Sequence, residues 1–271
     1  MFHAQKIAAF DLPELQPYRT MRRQSEHRAQ GLFVAEGEKV VRRLLQSRFT
    51  VLSVLLPEKW LRELALLLQG RPEDISVFVA EKSLLETLTG FSFYQGLLAV
   101  GRVPPPLALE ELLARAARPR LLAAADGLAS AENLGALVRN CAAFNVQALL
   151  VGETSASPFL RRAVRSSMGA IFHLPVLETT GLAAALGHLR SQGIASIAAH
   201  PQATGRRLSE ADFSGDCCLV FGSEGAGLSP AILAACDAAA AIPMPPTVDS
   251  LNVGSAAAVF LYEANRQRGK M

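Results

Sequence analysis

Short apolar runs alternate with amphipathic stretches along the whole chain. In the first half, VLSVLLP and ISVFVA lie on either side of EKWLRELALLLQ, whose apolar residues recur at helical spacing. Apolar runs bounded by turn residues are typical of buried strands, whereas a spacing of three to four residues is typical of helices. The alternation predicts a small α/β domain with a parallel or mixed sheet, ending near Val103.

A second series of strands and helices follows three consecutive prolines, Pro104 to Pro106. Such a run neither continues a helix nor sits inside a sheet, so it indicates a linker. From RLLAAAD onward, short apolar runs such as VQALLVG and CCLVFG alternate with helical stretches, which predicts a doubly wound parallel sheet. Ligands bind beyond the carboxyl ends of the strands in such sheets, so the first candidate sites are the loops after Ala125, Phe221 and Met244.

These patterns divide the α/β chain into four segments. We assign residues 1–18 to a poorly patterned leader, 19–103 to the first domain, 104–118 to the linker and 119–271 to the second, larger domain. A basic stretch from Arg19 to Gln30 is predicted to be helical, and SSMGAIF in the second domain is predicted to be irregular.

Composition restricts the classes of protein that fit. The chain has 271 residues, half of them hydrophobic, and a mean hydropathy of +0.24. Apolar runs are interrupted well before the roughly 18 residues of a membrane span, and the N-terminus does not resemble a signal peptide. We therefore expect a cytoplasmic protein. The four cysteines form no C-x-x-C pair and the histidines show no ligand spacing, so we expect neither a disulfide framework nor a metal site.

The charge is small in total but unevenly distributed. A net charge of +3 permits a nucleic-acid partner without requiring one. Basic residues concentrate between Arg19 and Arg48, and Arg161, Arg162 and Arg165 form a second cluster. Such clusters are either solvated helix faces or phosphate contacts.

Three segments of the second half contain candidate chemistry. The first is ENLGALVRN, in which Asn133 lies at a predicted helix start. Gly135 lies one turn before Arg139, so the guanidinium can lie over bare backbone beside the amide. Together they suit a hydroxyl or phosphate ligand. The alternative is a helix with an incidental surface arginine.

The second segment is LVFGSEGAGLSP, a strand that runs into a glycine-rich loop. Ser229 and Pro230 are typical of a helix N-cap and first turn. The loop matches neither the phosphate-binding G-K-[ST] motif, nor G-x-G-x-x-G, nor the nucleophile elbow. It presents Glu224 on a backbone that a flat ligand can approach closely, unless it is simply a strand-to-helix turn.

The third segment is PMPPTVDSLNVGS, a proline-rich loop that runs into the last helix. Asp249 and Ser250 are good capping residues, so the helix is predicted to start there and to present unpaired N–H groups. Ile242, Met244 and Leu251 are positioned to wrap an apolar group. The alternative is a capped C-terminal packing helix.

The three segments resemble, in order and spacing, the three motifs of the SpoU (TrmH-like) RNA ribose methyltransferases of the SPOUT superfamily. The matching residues are N-x-G-x-x-x-R from Asn133, F-G-S-E-G from Phe221, and I-P-M from Ile242 followed by D-S-L-N-V. The resemblance covers Arg120 to Arg268. Residues 19–103 resemble that family's RNA substrate-binding domain less specifically, through FVAEGEKVVRRLL and QGLLAVGRV. Ser223 is a departure, because many members have Asn or Ala there; we expect little consequence.

The resemblance implies transfer of a methyl group from S-adenosylmethionine to a ribose 2′-hydroxyl of structured RNA, with ribosomal RNA preferred and transfer RNA as the alternative. It also implies a trefoil knot and a homodimer that pairs through the last helix. The implied catalytic residues are Asn133, Arg139, Glu224, Ser250 and Asn252. The cofactor residues are Gly222, Ile242, Met244 and Leu251. The expected RNA-binding residues are Arg22, Arg23, Arg28, Lys39, Arg42, Arg43 and Arg165.

The identity of the general base stays open at this stage. The family proposal gives that role to the equivalent of Arg139, but arginine is effectively always protonated in proteins. Arg139 is therefore either the base or a stabiliser of developing negative charge, and Glu224 is the rival base.

Two other classes of protein remain possible. One is a non-catalytic RNA-binding or ribosome-assembly protein on the same scaffold. The other is a dinucleotide-dependent α/β enzyme, although ADGLASAEN stands where the dinucleotide fingerprint is expected.

Overall fold

The computed structural model describes residues 1–89, 96–201 and 206–269, which form two compact units. The first unit contains Met1–Pro105 and Phe159–His173, and the second contains Pro106–Pro158 and Leu174–Met271. The first residue of QGLLAVGRV, Gln95, lies outside the described residues.

The strands, in chain order, are β1 Phe2–Ile7, β2 Leu32–Glu36, β3 Val51–Leu56, β4 Ile75–Ala80, β5 Leu98–Arg102, β6 Leu121–Ala125, β7 Ala148–Val151, β8 Val176–Glu178, β9 Ala195–Ala199, β10 Cys217–Phe221 and β11 Ala238–Ala240. The helices are α1 Gln16–Arg19, α2 Gln24–Ala29, α3 Glu38–Gln46, α4 Glu58–Gln69, α5 Lys82–Thr89, α6 Leu109–Arg115, α7 Ala131–Ala143, α8 Arg161–Ser166, α9 Leu182–Ser191, α10 Pro230–Ala235 and α11 Val253–Gln267.

The first unit contains a five-stranded mixed sheet in the order β1-β4-β3-β5-β2. Strand β4 pairs in parallel with β1 and β3, whereas β5 is antiparallel to β2 and β3. The predicted alternation of strands and helices is therefore confirmed. The stretch predicted to be helical from Arg19 to Gln30 is helical over α2, Gln24–Ala29, and at Arg19, where α1 ends, but not between the two helices.

The N-terminal residues belong to this unit rather than to a leader. Phe2–Ile7 pairs with β4 as an edge strand, and its middle four side chains are exposed. An edge strand of this kind leaves no apolar run in the sequence, which explains why the pattern missed it. Leu15 and Tyr18 are fully buried in the core, and Tyr18 makes a 2.8 Å hydrogen bond with the hydroxyl of Ser53.

The second unit contains a six-stranded sheet in the order β11-β9-β10-β6-β7-β8, and every pairing is parallel. All residues of the central strands β6 and β10 are buried, as expected for a sheet covered by helices on both faces. The predicted doubly wound parallel sheet is confirmed, and the trefoil knot stays a prediction. Within the segment assigned to the linker, Leu112 and Leu113 of α6 join the core of this unit, because both face inward from an amphipathic helix.

Residues 159–173 depart from the predicted domain boundary. The segment belongs to the first unit, and the chain returns to the second at Leu174. Phe159 and Phe172 pack against Phe33, with ring centroids 6.0 and 5.5 Å away. Aromatic contacts of this kind bury a large apolar area, and they therefore stabilise the packing of residues 159–173 on the first unit.

A buried ion pair reinforces the same docking. The carboxylate of Glu36 on β2 is only 4% exposed, and Arg161 and Arg165 of α8 both donate to it, the latter at 2.6 Å. Opposite charges brought together by folding are invisible in a sequence where they lie more than a hundred residues apart.

Neither a membrane span nor a metal site is present in the part of the chain that the structure describes. No helix there is long and apolar enough to cross a bilayer, and no group of His, Cys, Asp and Glu side chains could hold a metal ion. Burial raises the pKa of Cys217 to about 11 and that of Cys236 to about 12, so both thiols stay protonated at neutral pH.

Candidate active site

A cavity of about 500 Å³ lies in the second unit, beyond the ends of β9, β10 and β11. Its wall includes all four residues predicted at the cofactor and two of those predicted to be catalytic. These are Gly222, Ile242, Met244 and Leu251, together with Glu224 and Ser250. The loops after Phe221 and Met244 were candidate sites in the sequence, and the structure brings both to one cavity.

Three of the predicted catalytic side chains meet in a polar cluster, which we define as Asn133, Glu224 and Asn252. The amide of Asn252 donates to Glu224 Oε1 at 2.7 Å and to Asn133 Oδ1 at 3.2 Å. The amide of Asn133 also donates to Glu224 Oε1. One carboxylate oxygen therefore holds two amides that come from the first turn of α7 and the start of α11.

The start of α11 differs from the prediction. The helix begins at Val253 and its N-cap is Asn252, whose Oδ1 accepts a 2.9 Å hydrogen bond from the backbone N–H of Gly254. Asp249 and Ser250 precede the helix and line the cavity instead. Asparagine can do what serine cannot, because its oxygen caps the helix while its nitrogen donates to the polar cluster.

The glycine-rich loop is held closed at both ends. Ser223 and Gly227 exchange backbone hydrogen bonds of 3.0 Å, and the carboxylate of Asp126 accepts a 2.7 Å hydrogen bond from the N–H of Ser229. As predicted, Ser229 caps α10 and Pro230 opens it. A Cβ on Gly222 would lie 2.3 Å from the carbonyl carbon of Gly227, so only glycine fits there.

Arg139 lies apart from the polar cluster. Its side chain is exposed on α7 and makes no hydrogen bond or ion pair with any residue that the structure describes. The next residue, Asn140, donates a 2.5 Å hydrogen bond to the carbonyl of Gly254 and so connects α7 to the first turn of α11. The helix that carries Arg139 and the cap that carries Asn252 are therefore held together.

His200 is a cavity residue that the sequence did not reveal. It directly follows β9 and lines the cavity, and its Nδ1 is buried without a hydrogen-bond partner among the described residues. A single histidine outside any motif gives no signal in one sequence. The only available indication was its place after a predicted strand.

The residues predicted to bind RNA lie in the first unit, and several have protein partners. Arg23 pairs with Glu26, Arg42 with Glu38 and Glu63, and Arg165 with buried Glu36. Arg43 donates to the carbonyl of Met168. Lys39 is exposed on α3 and makes no hydrogen bond or ion pair within the described ranges. The exposed residues Arg22 and Arg28 complete the set.

The last helix divides its apolar residues between the core and solvent. Phe260 is buried, with its ring edge-on to those of Phe213 and Phe221 at centroid distances of 6.5 and 5.9 Å. Val259 and Tyr262 are 40% and 52% exposed. Phe260 therefore belongs to the core, whereas Val259 and Tyr262 face solvent.

The fold and this site define a class: an α/β protein whose larger unit has a parallel sheet with a ligand-sized cavity beyond its strand ends. Within that class, the chain belongs to the SpoU rRNA methylase family, whose profile matches residues 120–262. An uncharacterized tRNA/rRNA methyltransferase of Mycobacterium tuberculosis is 34% identical over 97% of this chain and 92% of its own length. The 23S rRNA (guanosine-2′-O-)-methyltransferase RlmB of Acinetobacter baylyi is 33% identical over 73% of this chain and 82% of its own.

Solved structures agree with this membership. The SpoU methyltransferase AviRb from Streptomyces viridochromogenes, in complex with the cofactor AdoMet, superimposes with a TM-score of 0.81 and 25% identity. The match covers 95% of this chain and 98% of that one.

The residues of the cavity suit a ligand that is partly flat and partly polar. The volume of the cavity falls within the range of about 300–1,000 Å³ that is typical of small-molecule sites. Ile242 and Met244 supply apolar contacts, and the bare backbone at Gly222 permits close approach. His200, Glu224 and Ser250 supply polar residues to the wall. S-Adenosylmethionine, with its purine, ribose and amino-acid groups, fits this set of contacts.

Proposed function

We propose that the protein is an S-adenosylmethionine-dependent RNA methyltransferase that modifies a ribose 2′-hydroxyl, with ribosomal RNA as its substrate. The observation that carries the proposal is the polar cluster of Asn133, Glu224 and Asn252, together with a cavity whose wall contains Gly222, Ile242, Met244 and Leu251. The RlmB relative supports ribosomal RNA as the substrate class. An enzyme with this substrate would act in the cytoplasm.

Binding is the first task of the cavity residues. Ile242, Met244 and Leu251 hold the apolar parts of the cofactor, and the glycine loop lets the backbone come close to it. When bound, S-adenosylmethionine supplies the methyl group as an electrophile. Alignment of the methyl group with the ribose oxygen can lower the activation free energy by several kcal/mol, so rigid positioning is a large part of catalysis here.

The polar cluster orients the ribose of the RNA substrate. Glu224 Oε1 accepts hydrogen bonds from two amides, so this oxygen is occupied in fixing Asn133 and Asn252. We therefore assign Glu224 a positioning role rather than that of the base. Ser250 adds a hydroxyl at the cavity wall that can contact the ribose or the cofactor.

Arg139 supplies positive charge. Its guanidinium is exposed on the helix that also carries Asn133. We propose that it stabilises negative charge that develops on the ribose oxygen and contacts a neighbouring phosphate.

The test is methyl transfer with a labelled cofactor. The purified protein is incubated with labelled S-adenosylmethionine and ribosomal RNA from cells that lack the protein, and ribose methylation is mapped. We expect label at a 2′-oxygen. We also expect Arg139→Ala to reduce turnover by at least about 100-fold, since loss of one charge-stabilising donor typically costs that much, while calorimetry shows unchanged cofactor affinity.

Other results would contradict this proposal in distinct ways. Label in transfer RNA alone would favour the transfer RNA alternative. Tight RNA binding without label would favour a non-catalytic scaffold. Thermal stabilisation by NAD but not by S-adenosylmethionine would favour a dinucleotide enzyme.

We further propose that the protein works as a homodimer that pairs through α11. The exposed Val259 and Tyr262 form an apolar patch one turn apart on this helix, which suits a contact between copies. Light scattering on the wild type and on Tyr262→Glu checks the proposal; a wild-type monomer at working concentration would contradict it.

A further inference from the structure

Two hydrogen bonds from asparagine side chains to backbone carbonyls join α7 to α11. Asn140 of α7 donates through Nδ2 to the carbonyl of Gly254, in the first turn of α11, at 2.5 Å. Asn265, near the other end of α11, donates through Nδ2 to the carbonyl of Phe144, the C-cap of α7, at 2.8 Å. Gly254 and Asn265 are about 16 Å apart along the helix axis, so the two bonds hold α11 against α7 at separate points.

Of these two bonds, the one from Asn140 leads to the polar cluster. Gly254 accepts it through its carbonyl, and the N–H of Gly254 donates to Oδ1 of Asn252 at 2.9 Å. Nδ2 of Asn252 donates in turn to Glu224 and to Asn133. A series of hydrogen bonds therefore runs from Asn140, through the cap of α11, to the carboxylate that joins two of the predicted catalytic amides.

The start of α11 has little freedom to move relative to α7. A Cβ on Gly254 would lie 3.2 Å from Cβ of Ala136 and 3.1 Å from Oδ1 of Asn252, so the backbone of α11 already lies close against α7 there. Contact limits a closer approach, and the hydrogen bond from Asn140 opposes separation. Because Asn133 lies on α7 and Asn252 at the start of α11, the spacing of the two helices sets the distance between these two amides.

The two asparagines are expected to contribute differently to stability. Gly254 lies inside α11, so its carbonyl also has a backbone N–H partner in the helix and stays paired without Asn140. Phe144 lies beyond the last residue of α7, so its carbonyl has no such partner. Asn265 is also 4% exposed, and a buried hydrogen bond is costly to break. Loss of Asn265 should therefore lower stability more than loss of Asn140.

We propose that Asn140 is a positioning residue for methyl transfer, which fixes the first turn of α11 so that Asn252 and Asn133 are held where the ribose must bind. The inference rests on the proposed function, since the reaction that it affects is the proposed one. Asn140 is not one of the described residues that line the cavity, and it acts through Asn252. It therefore affects the rate of methyl transfer rather than the affinity for S-adenosylmethionine. A displacement of about 1 Å in a reacting geometry can lower a rate by about 100-fold, so a hydrogen bond remote from the ribose has a measurable effect.

Methyl-transfer kinetics of the full-length protein test the proposal, with labelled S-adenosylmethionine and ribosomal RNA from cells that lack the protein. Asn140→Asp keeps the size of the side chain but replaces the donor with an acceptor, and Asn140→Ala removes the group. Both are expected to lower kcat by about 10–100-fold while calorimetry shows cofactor affinity within about twofold of the wild type. Thermal melts of both variants should show a Tm within a few degrees of the wild type.

The matched control is Asn265→Ala, which removes the other asparagine bond between the same two helices. It should lower the Tm by roughly 3–8 °C and keep kcat at the wild-type level below its melting temperature. An equal loss of kcat for Asn265→Ala and Asn140→Ala would mean that the rate follows the tightness of the helix pair as a whole, and it would overturn the inference.

A double variant tests whether Asn140 acts through Asn252. Asn140→Ala combined with Asn252→Ser should be no slower than the slower of the two single variants. Losses that multiply would overturn the inference, as would a wild-type kcat for both Asn140 variants or a loss of cofactor affinity that matches the loss of kcat. The proposed function would stand in each of these cases. A folded wild type that transfers no methyl group to RNA would overturn the proposed function itself.

Discussion

At the scale of single residues, Asn252 shows how one side chain serves stability and chemistry together. Its Oδ1 caps α11 through the N–H of Gly254, and its Nδ2 donates to Glu224 and Asn133. Serine is an equally good cap but has one hydroxyl for both tasks. The two functions can therefore be separated by substitution.

We predict that Asn252→Ser keeps the cap and loses the amide donors. Its Tm should stay within a few degrees of the wild type, while methyl transfer falls by about tenfold or more because Glu224 and Asn133 lose their shared partner. Asn252→Ala should lose activity and also about 1 kcal/mol of stability. Calorimetry and labelled methyl transfer measure the two effects.

The matched control is Ser250→Ala. Because Ser250 does not cap α11, this change should leave the Tm unaltered. A drop in Tm for Ser250→Ala, together with full activity for Asn252→Ser, would contradict the assignment of the cap and of the polar cluster.

At the scale of elements, the loop between β10 and α10 is shaped by contacts to its backbone. Asp126, which follows β6, accepts a hydrogen bond from Ser229 N–H, and the backbone of Ser223 pairs with that of Gly227. Gly222 stands against this closed turn with no room for a side chain. These contacts restrain the loop, and a restrained loop loses less conformational freedom when a small flat ligand binds.

We predict that Gly222→Ala deforms this loop. The added Cβ would lie 2.4 Å from the backbone nitrogen of Leu228, so the turn must move. Cofactor affinity should fall by at least about tenfold and the Tm should drop, since overpacking typically costs about 1–3 kcal/mol.

Gly187→Ala is the control in another element. Gly187 lies in α9, and the position that an alanine methyl would take has no neighbouring side chain or distant backbone within 4 Å among the described residues. Alanine should therefore raise helix stability by about 0.5–1 kcal/mol and leave cofactor affinity unchanged. Unchanged cofactor binding by Gly222→Ala would show that the loop tolerates movement and would contradict the prediction.

At the scale of the whole molecule, residues 159–173 determine which experiments are informative. Deletion of residues 1–103 is the obvious test of an RNA-binding first domain. That deletion would remove Phe33 and Glu36, the buried residues that Phe159 and Arg161 contact. It would expose apolar surface and unpaired charge, so loss of RNA binding by the fragment could arise from misfolding. Point substitutions avoid this problem.

We predict opposite outcomes for two basic residues that the sequence treats alike. Lys39→Gln should lower RNA affinity, reduce the salt dependence of binding by about one unit of slope and leave the Tm unchanged, because Lys39 has no partner among the described residues. Arg165→Gln should lower the Tm by an amount equivalent to about 1–3 kcal/mol, because Glu36 is buried and loses one of its two guanidinium partners.

Filter binding across a range of salt concentrations and thermal melts distinguish the two residues. An unchanged salt slope for Lys39→Gln would contradict a phosphate contact at α3. An unchanged Tm for Arg165→Gln would show that Arg161 alone satisfies Glu36.

Much of the architecture was predictable because the sheets are buried. The strands CCLVFG and RLLAAAD are continuous apolar runs because both faces of a covered parallel sheet exclude water, and this signal is local in the sequence. β1 was not predictable, since an exposed edge strand has no such run. The cap of α11 was misplaced by two to three residues because Asp249, Ser250 and Asn252 are all capping types, and only packing selects one.

The sequence by itself determined the alternation of strands and helices, the parallel sheet and the three motifs with their residue types, because each depends on neighbours in the chain. Only the tertiary structure decided that Glu224 holds Asn133 and Asn252, that His200 lines the cavity, and that residues 159–173 pack with the first unit. These contacts join residues far apart in sequence. Their free energy comes from burial and hydrogen bonds that exist only after the chain has folded, so no local pattern encodes them.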